Sequence, residues 1–167
     1  MRLLDMTAPA SGSYREKRQT YYDGTSRQIY WTEHEVPFPE GRLIVSRTDR
    51  DGIITHANDA FVEMSAYTQE ELLGAPHYIL RHPEMPAIAF QGLWDDCHAR
   101  KKWHGYVKNL RKDGAYYWVY ATVVPNIRHG IVEGYTSVRR KPSRTKINEL
   151  IPVYQKLLDE ERVRQGQ

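Results

Sequence analysis

The chain has little of several features that define other classes of protein. Its single cysteine, Cys97, excludes a disulfide within the chain and favours a reducing compartment. No apolar run approaches the length of a membrane span, and residues 1–10 lack the apolar segment of a signal peptide. The net charge is only +3, with basic and acidic residues interspersed, which gives no case for nucleic-acid binding. We therefore expect a cytoplasmic protein with no membrane span in this chain.

The length of 167 residues, with 40% hydrophobic residues, predicts a single domain large enough to enclose one ligand. We divide the chain into an N-terminal arm or cap (1–41), a central domain (42–140) and a C-terminal linker helix (141–167). The arm is broken by prolines and reads as loosely ordered, but its aromatic residues need something to pack on. We expect it to cap the sheet of its own domain or of a swapped partner.

The central domain contains strand patterns on either side of a helical region. The polar turn at 49–52, which ends in glycine, joins strands predicted at 43–48 and 53–56. Three helices are predicted next. The first covers 58–65, the second begins at the capping box of Thr68 and Glu71, and the third begins after Pro86. Further strands are predicted at 103–110, 116–124 and 131–139. Two strands, several helices and three antiparallel strands make an α+β order.

The segment after residue 143 has apolar residues at three- and four-residue steps, which predicts one amphipathic helix. Pro152 lies within this pattern, so the helix is expected to kink or to restart there. The helix could connect the domain to an effector, pair two subunits or fold back onto its own domain.

Three motifs carry the functional signal of the chain. They are Ile-Thr-His-Ala-Asn-Asp-Ala-Phe at 54–61, Leu-Arg-His-Pro-Glu-Met-Pro at 80–86 and Trp-His-Gly-Tyr-Val-Lys-Asn at 103–109. Their order and spacing resemble the FAD-binding PAS domain of the bacterial aerotaxis receptor family, over residues 42 to about 140. The resemblance implies a single PAS domain with a five-stranded antiparallel sheet, flanking helices and FAD as cofactor. It also implies a homodimer or docking to a chemoreceptor-type signalling domain.

Asn58 has both a structural and a functional interpretation. It stands between a predicted strand and a predicted helix, where asparagine is a favoured N-cap. By the resemblance, it is also one of the positions needed for FAD binding.

The second motif supplies three further candidates. Pro83 biases His82 toward an extended backbone, so Arg81 and His82 are expected at a loop edge. An arginine there can make a forked contact to phosphate oxygens such as those of FAD. The resemblance implies that Arg81, His82 and Glu84 help to hold FAD, although Glu84 stands where the family has aspartate. Without the other motifs, Arg81 and His82 would be interpreted as exposed loop residues.

Trp103 and Asn109 complete the set of cofactor-binding candidates. They are six residues apart on one predicted strand and therefore point to the same face. An amide can donate to and accept from the polar edge of a flavin, while an indole can pack on the ring. Ordinary core packing of Trp103 and a strand-edge role for Asn109 are the structural alternatives.

These observations favour a redox or oxygen sensor for aerotaxis-type signalling, in which the flavin redox state biases a conformational signal. A haem-binding PAS sensor would use His98, and a flavin-dependent enzyme is the second alternative. The chain has no nucleophile–base pair, dinucleotide fingerprint or metal-ligand spacing, so we expect no catalytic residue and no metal site. Cys97 lacks the sequence context of a photoadduct cysteine and is expected to be a small buried hydrophobe.

Overall fold

The computed structural model describes residues 2–166, which form seven strands, four α-helices and one 3-10 turn. The strands are β1 (Arg15–Thr20), β2 (Ser26–Trp31), β3 (Ile44–Asp49), β4 (Ile54–Ala57), β5 (Trp103–Leu110), β6 (Tyr116–Arg128) and β7 (Ile131–Arg140). The helices are α1 (Asp59–Ser65), α2 (Gln69–Leu72), α3 (Ala87–His98) and α4 (Arg144–Arg164), with the 3-10 turn at His77–Leu80.

The main sheet has the strand order β4-β3-β7-β6-β5, and every neighbouring pair is antiparallel. The α+β fold and the five-stranded antiparallel sheet expected from the sequence are therefore confirmed. The central domain begins with β3 and ends with β7, and these two strands pair with each other inside the sheet. At that seam Gly134 lies so close to β3 that a Cβ atom would sit 1.9 Å from the carbonyl oxygen of Thr48.

The short helices begin where the sequence predicts. Asn58 caps α1, and Thr68 and Glu71 form a complete capping box at α2. Helix α1 buries Phe61 and Met64 against the inner face of the sheet, within the main apolar core. The helical segment therefore lies on one face and leaves a space between the sheet, the 3-10 turn and α3.

Residues 15–31 are more regular than the loosely ordered arm that the sequence predicts. They form an antiparallel β1–β2 hairpin that packs on the 3-10 turn of its own domain. Arg27 anchors the hairpin because its guanidinium, buried to 3% exposure, donates to the hydroxyl of Tyr21 and to the carbonyl of Ile79. The ring of Tyr21 stacks on Tyr78 at 4.1 Å between centroids.

Helix α4 folds back onto its own domain, which is one of the three arrangements that the sequence allows. It continues through Pro152 without the restart that the sequence allowed. Tyr154 donates from its hydroxyl to the carbonyl of Tyr106 in β5 at 2.8 Å, and Glu161 accepts the N–H of Ala87 at 2.8 Å. A carboxylate from α4 thus caps the first turn of α3, which has no side-chain cap of its own. Among residues 2–166, no helix has both the length and the apolar character needed to traverse a bilayer.

Candidate ligand-binding site

A cavity of about 270 Å³ lies between the inner face of the sheet and the layer formed by the 3-10 turn and α3. Apolar and aromatic side chains from β5, β6 and α3 make up most of its wall. Such a lining with a few polar groups is typical of small-molecule sites. A broader depression around Arg47 and Asn126 lies on the outer face of the sheet and opens widely to solvent. We therefore assign the candidate site to the cavity on the inner face of the sheet.

Trp103 and Asn109 both line this cavity from β5, on the shared face that their spacing predicts. The indole of Trp103 lies across Gly105, where a Cβ atom would be 2.3 Å from the ring. Only glycine at position 105 lets the ring lie this close to its own strand. Asn109 is 6% exposed and brings an amide into a wall that is otherwise mostly apolar.

Arg81 also lines the cavity, and an isolated backbone bridge joins it to Asn109. Its guanidinium lies 5.1 Å from the centroid of Phe90 and makes one long contact, at 3.5 Å, to the carbonyl of Met85. Burial lowers the pKa of Arg81 from its usual value. Its Nε is buried and has no hydrogen-bond partner among the described residues. The single long contact to Met85 leaves the terminal N–H groups of the guanidinium to face the cavity that Arg81 lines.

His82 and Glu84 lie close to Arg81 but outside the cavity wall. The fully buried ring of His82 sits between Trp31 and Tyr116, and its Nδ1 accepts the N–H of Glu84 at 3.1 Å. Burial, aided by the charge of Lys108, holds the pKa of His82 well below its usual value. The carboxylate of Glu84 pairs with Lys108 at 2.9 Å. A role of His82 and Glu84 in cofactor binding therefore stays a prediction. These residues would contribute indirectly, by positioning the loop that carries Arg81.

Asn58 also lies away from the cavity wall, and all of its side-chain groups are engaged. Its Oδ1 accepts the N–H groups of Phe61 and Val45, both at 3.0 Å. Its Nδ2 donates to the carbonyl of Leu43 at 2.9 Å. The side chain therefore ties the start of α1 to β3. Its role in FAD binding stays a prediction.

Arg139 is a functional candidate that the sequence alone did not indicate, and it lines the cavity from β7 at 2% exposure. Its Nη2 donates to Ser46 Oγ at 3.0 Å, and its Nη1 donates to Ser137 Oγ at 2.9 Å. No carboxylate accepts from it among the described residues, and its Nε has no partner there. Burial lowers the pKa of Arg139 to about 10, so it is still charged at neutral pH. A buried charge without a counter-ion is costly, which suggests that a ligand completes the site.

His77 completes a polar cluster with Arg139 and Ser46. Its Nε2 lies 3.2 Å from Ser46 Oγ and 3.4 Å from Arg139 Nη1. Because Arg139 only donates, we assign Nε2 as an acceptor and place the single ring proton on Nδ1. Burial, reinforced by the charge of Arg139, lowers the pKa of His77 to about 3. The cluster therefore carries one positive charge.

Alternation along β7 could have suggested Arg139 as an inward residue. Tyr135, Ser137 and Arg139 alternate on one face of that strand, and all three line the cavity. Arg140 follows directly, however, and the sequence does not indicate which of the two arginines faces inward.

Comparison with known proteins agrees with this architecture. Residues 54–138 match the family described as the PAS fold. The chain belongs to the PAS fold family. Across 132 residues, it is 42% identical to the aerotaxis receptor of Escherichia coli (strain K12), which covers 79% of this chain and 26% of the relative. It is 28% identical over 102 residues to a nitrogen fixation regulatory protein of Klebsiella pneumoniae, with 60% of this chain and 21% of the relative covered.

Solved structures support the same PAS assignment at the level of fold. A light-oxygen-voltage domain studied with a flavin analogue superimposes with a TM-score of 0.58 at 22% identity, covering 68% of this chain and 86% of the other. The light-state LOV structure of the blue-light photoreceptor Aureochrome1 gives 0.55 at 22% identity, covering 72% and 89%. Identities this low show a shared PAS fold alone. The chain spans about a quarter of the aerotaxis receptor, so activities of that whole receptor do not transfer directly.

Asn58→Ala should lower the free energy of unfolding by about 2 kcal/mol, because it removes a helix cap and the hydrogen bonds to Val45 and Leu43. Urea denaturation measures this loss. Asn58→Asp retains the acceptor oxygens and should recover part of the stability, while Ala at the exposed neighbour Asp59 serves as a control. Flavin content of the soluble Asn58→Ala protein then tests the family role. Full FAD occupancy would leave Asn58 with the capping role alone.

Stability should fall as the pH drops below about 6.5, because His77 and His82 stay neutral in the fold while the unfolded chain takes up protons. Between about pH 7 and pH 5.5, each histidine should remove about 1 kcal/mol from the free energy of unfolding. Urea titrations across this range should show a smaller fall in His77→Asn than in wild type. The exposed His129→Asn serves as control. An equal fall in wild type and His77→Asn would contradict this assignment.

Proposed function

We propose that this PAS domain binds FAD and acts as a redox or oxygen sensor for aerotaxis-type signalling, in a reducing, cytoplasmic compartment. The observation that carries the proposal is the buried Arg139, which places on the wall of an aromatic-lined cavity a positive charge that no carboxylate of residues 2–166 neutralises. Such a site suits an aromatic ligand that gains negative charge when it is reduced. The 42% identity to an aerotaxis receptor supports the same function.

The polar groups on the wall fit the two parts of the cofactor. Asn109 offers a donor and an acceptor to the heteroatom edge of a flavin ring, and Trp103 offers an aromatic surface. Arg81 brings a guanidinium, which suits phosphate oxygens, to the same wall. When bound, FAD supplies electron-transfer chemistry that the side chains of this chain do not have. The protein's part is to orient the ring, exclude water and set the charge around it.

The connection from Arg139 to the surface of the domain is short. Arg139 is next to the last residue of β7, and α4 begins at Arg144. A change of charge in the cavity would alter the contacts that Arg139 makes to Ser46 and Ser137 and so bias the end of β7. Helix α4 would carry that change to a partner, either a second copy or a chemoreceptor-type signalling domain. We assign the protein a signalling role and no enzymatic one.

A haem-binding sensor is the less favoured function. His98, the haem ligand considered from the sequence, is exposed at the end of α3, stacks on Trp94 and does not line the cavity. His77 does line it, but its Nε2 already faces Ser46 and Arg139. A positive guanidinium beside that nitrogen also disfavours coordination to a cationic iron.

A photochemical cysteine adduct is also disfavoured. Cys97 is 1% exposed and packs with Val123 and Tyr135, and it does not belong to the cavity wall. Burial raises the pKa of its thiol to about 11, which keeps it in the unreactive protonated form. Within residues 2–166 no group of side chains is arranged to hold a metal ion.

The purified protein should be yellow, and denaturation should release FAD. An absorption spectrum of the native protein followed by chromatography of the released cofactor makes the test. Haem, FMN or a colourless protein that takes up no added flavin would overturn the proposed function.

Arg139→Gln should lower the reduction potential of the bound flavin, because it removes the positive charge that favours electron uptake. The expected shift is about 60 mV for each tenfold decrease in the equilibrium constant for one-electron reduction of the flavin. Arg139→Lys keeps the charge and should retain most of the potential. Arg140→Gln, at an exposed neighbour, is the matched control. A redox titration in which Arg139→Gln binds FAD with an unchanged potential would contradict the assigned role.

A further inference from the structure

We propose that Tyr22, in the turn of the β1–β2 hairpin, is the platform on which the adenine of a flavin dinucleotide stacks at the mouth of the cavity. The proposal rests on the proposed flavin binding and names the residue that would select FAD over FMN. It concerns a part of the chain that precedes the residues matched to the PAS family.

The size of the cavity requires a second place for the cofactor to bind. Its volume of about 270 Å³ is slightly below the usual range of roughly 300–1,000 Å³ for pockets that hold small ligands. A complete flavin dinucleotide is larger than this volume, and the lining includes the exposed Tyr22. With the flavin ring inside the cavity, the adenine would lie at or beyond the rim.

Tyr22 is the most exposed aromatic residue on the cavity lining, at 67% exposure. Its ring meets Tyr78 at 84° and 5.6 Å, and Trp94 at 64° and 6.3 Å. Neither neighbour lies parallel to it, so within residues 2–166 no aromatic ring stacks face to face on Tyr22. An exposed aromatic ring beside a cavity can take a base by stacking, since every base has a π-face.

The hairpin turn holds Tyr22 in place before any ligand binds. Tyr78, itself on the cavity lining, donates from its hydroxyl to Asp23 Oδ2 at 2.7 Å. Asp23 also accepts the N–H of Thr25 at 2.9 Å, and Tyr21 stacks on Tyr78. The residues on both sides of Tyr22 are thus fixed to the 3-10 turn. A platform positioned in this way costs little ordering entropy when a ligand binds.

Gly52 lies beneath Tyr22 and Trp94 and lines the same part of the cavity. A Cβ atom at this position would lie 3.6 Å from the ring of Trp94 and 3.9 Å from the hydroxyl of Tyr22. The residue therefore supports the two aromatic side chains from below, and its φ of +81° is one that glycine adopts readily.

The charges around Tyr22 indicate which end of the cofactor would lie there. Partial desolvation of the hydroxyl end, followed by the carboxylates of Asp23, Asp51 and Asp49, raises the pKa of the otherwise exposed Tyr22. A pyrophosphate would be repelled by these acids, whereas an uncharged adenine would not. Arg81 provides the positive charge for the phosphates elsewhere on the lining. The charge pattern therefore places the base, and not the phosphates, on Tyr22.

The test compares FAD with FMN, which lacks the adenosine, in titrations of flavin-free protein followed by flavin fluorescence. Tyr22→Ala should weaken FAD binding about tenfold, the scale of base stacking on an aromatic side chain, and leave FMN binding nearly unchanged. Tyr22→Phe keeps the ring and should bind FAD like wild type. Tyr14→Ala, which removes another exposed tyrosine of the N-terminal segment, is the matched control and should bind both flavins like wild type.

The outcomes separate this inference from the proposed function. If wild type binds FAD and FMN equally, or if Tyr22→Ala leaves FAD binding unchanged, the adenine platform is wrong while flavin binding stands. An equal loss of FAD and FMN in Tyr22→Ala would make Tyr22 a structural part of the rim and would also overturn the inference. A wild-type protein that binds neither flavin would reject both proposals.

Discussion

The burial of the Arg139 guanidinium is the constraint on which the cavity depends. Two serine hydroxyls and a histidine nitrogen surround it, and none of these carries a compensating negative charge. The ring of Phe61 lies 4.7 Å from the guanidinium carbon and adds a weak attraction. These contacts offset only part of the free energy that desolvation of the guanidinium costs. A ligand that takes up negative charge would stabilise the buried Arg139 further.

The elements at the two ends of the chain converge on the wall that faces Arg139. The β1–β2 hairpin fixes the 3-10 turn through Arg27 and Tyr78. Helix α4 fixes the start of α3 through Glu161. Both contacts are made to segments that line the cavity. The terminal segments therefore help to define the shape of the site, and α4 can couple that shape to a partner.

Much of the fold could be predicted because its signals are local. The capping box of Thr68 and Glu71, the N-cap Asn58 and the glycine-ended turns act within a few residues, and the structure contains each of them. The site was predicted less completely. Trp103, Asn109 and Arg81 share the cavity, but the sequence did not indicate that His82 and Glu84 face away from it. Their direction depends on packing against Trp31 and Lys108, which are distant in sequence.

The sequence by itself determined the element order, the helix caps and membership of the PAS family, because alternation, capping and motif spacing are properties of neighbouring residues. Only the tertiary structure decided that Arg139, and not Arg140, faces inward, because the antiparallel pairing of β7 with β3 and β6 sets which face of the strand is buried. Only the docking of the hairpin on Tyr78 brought Tyr22 to the cavity rim. These placements depend on contacts between residues far apart in the chain, which no local pattern encodes.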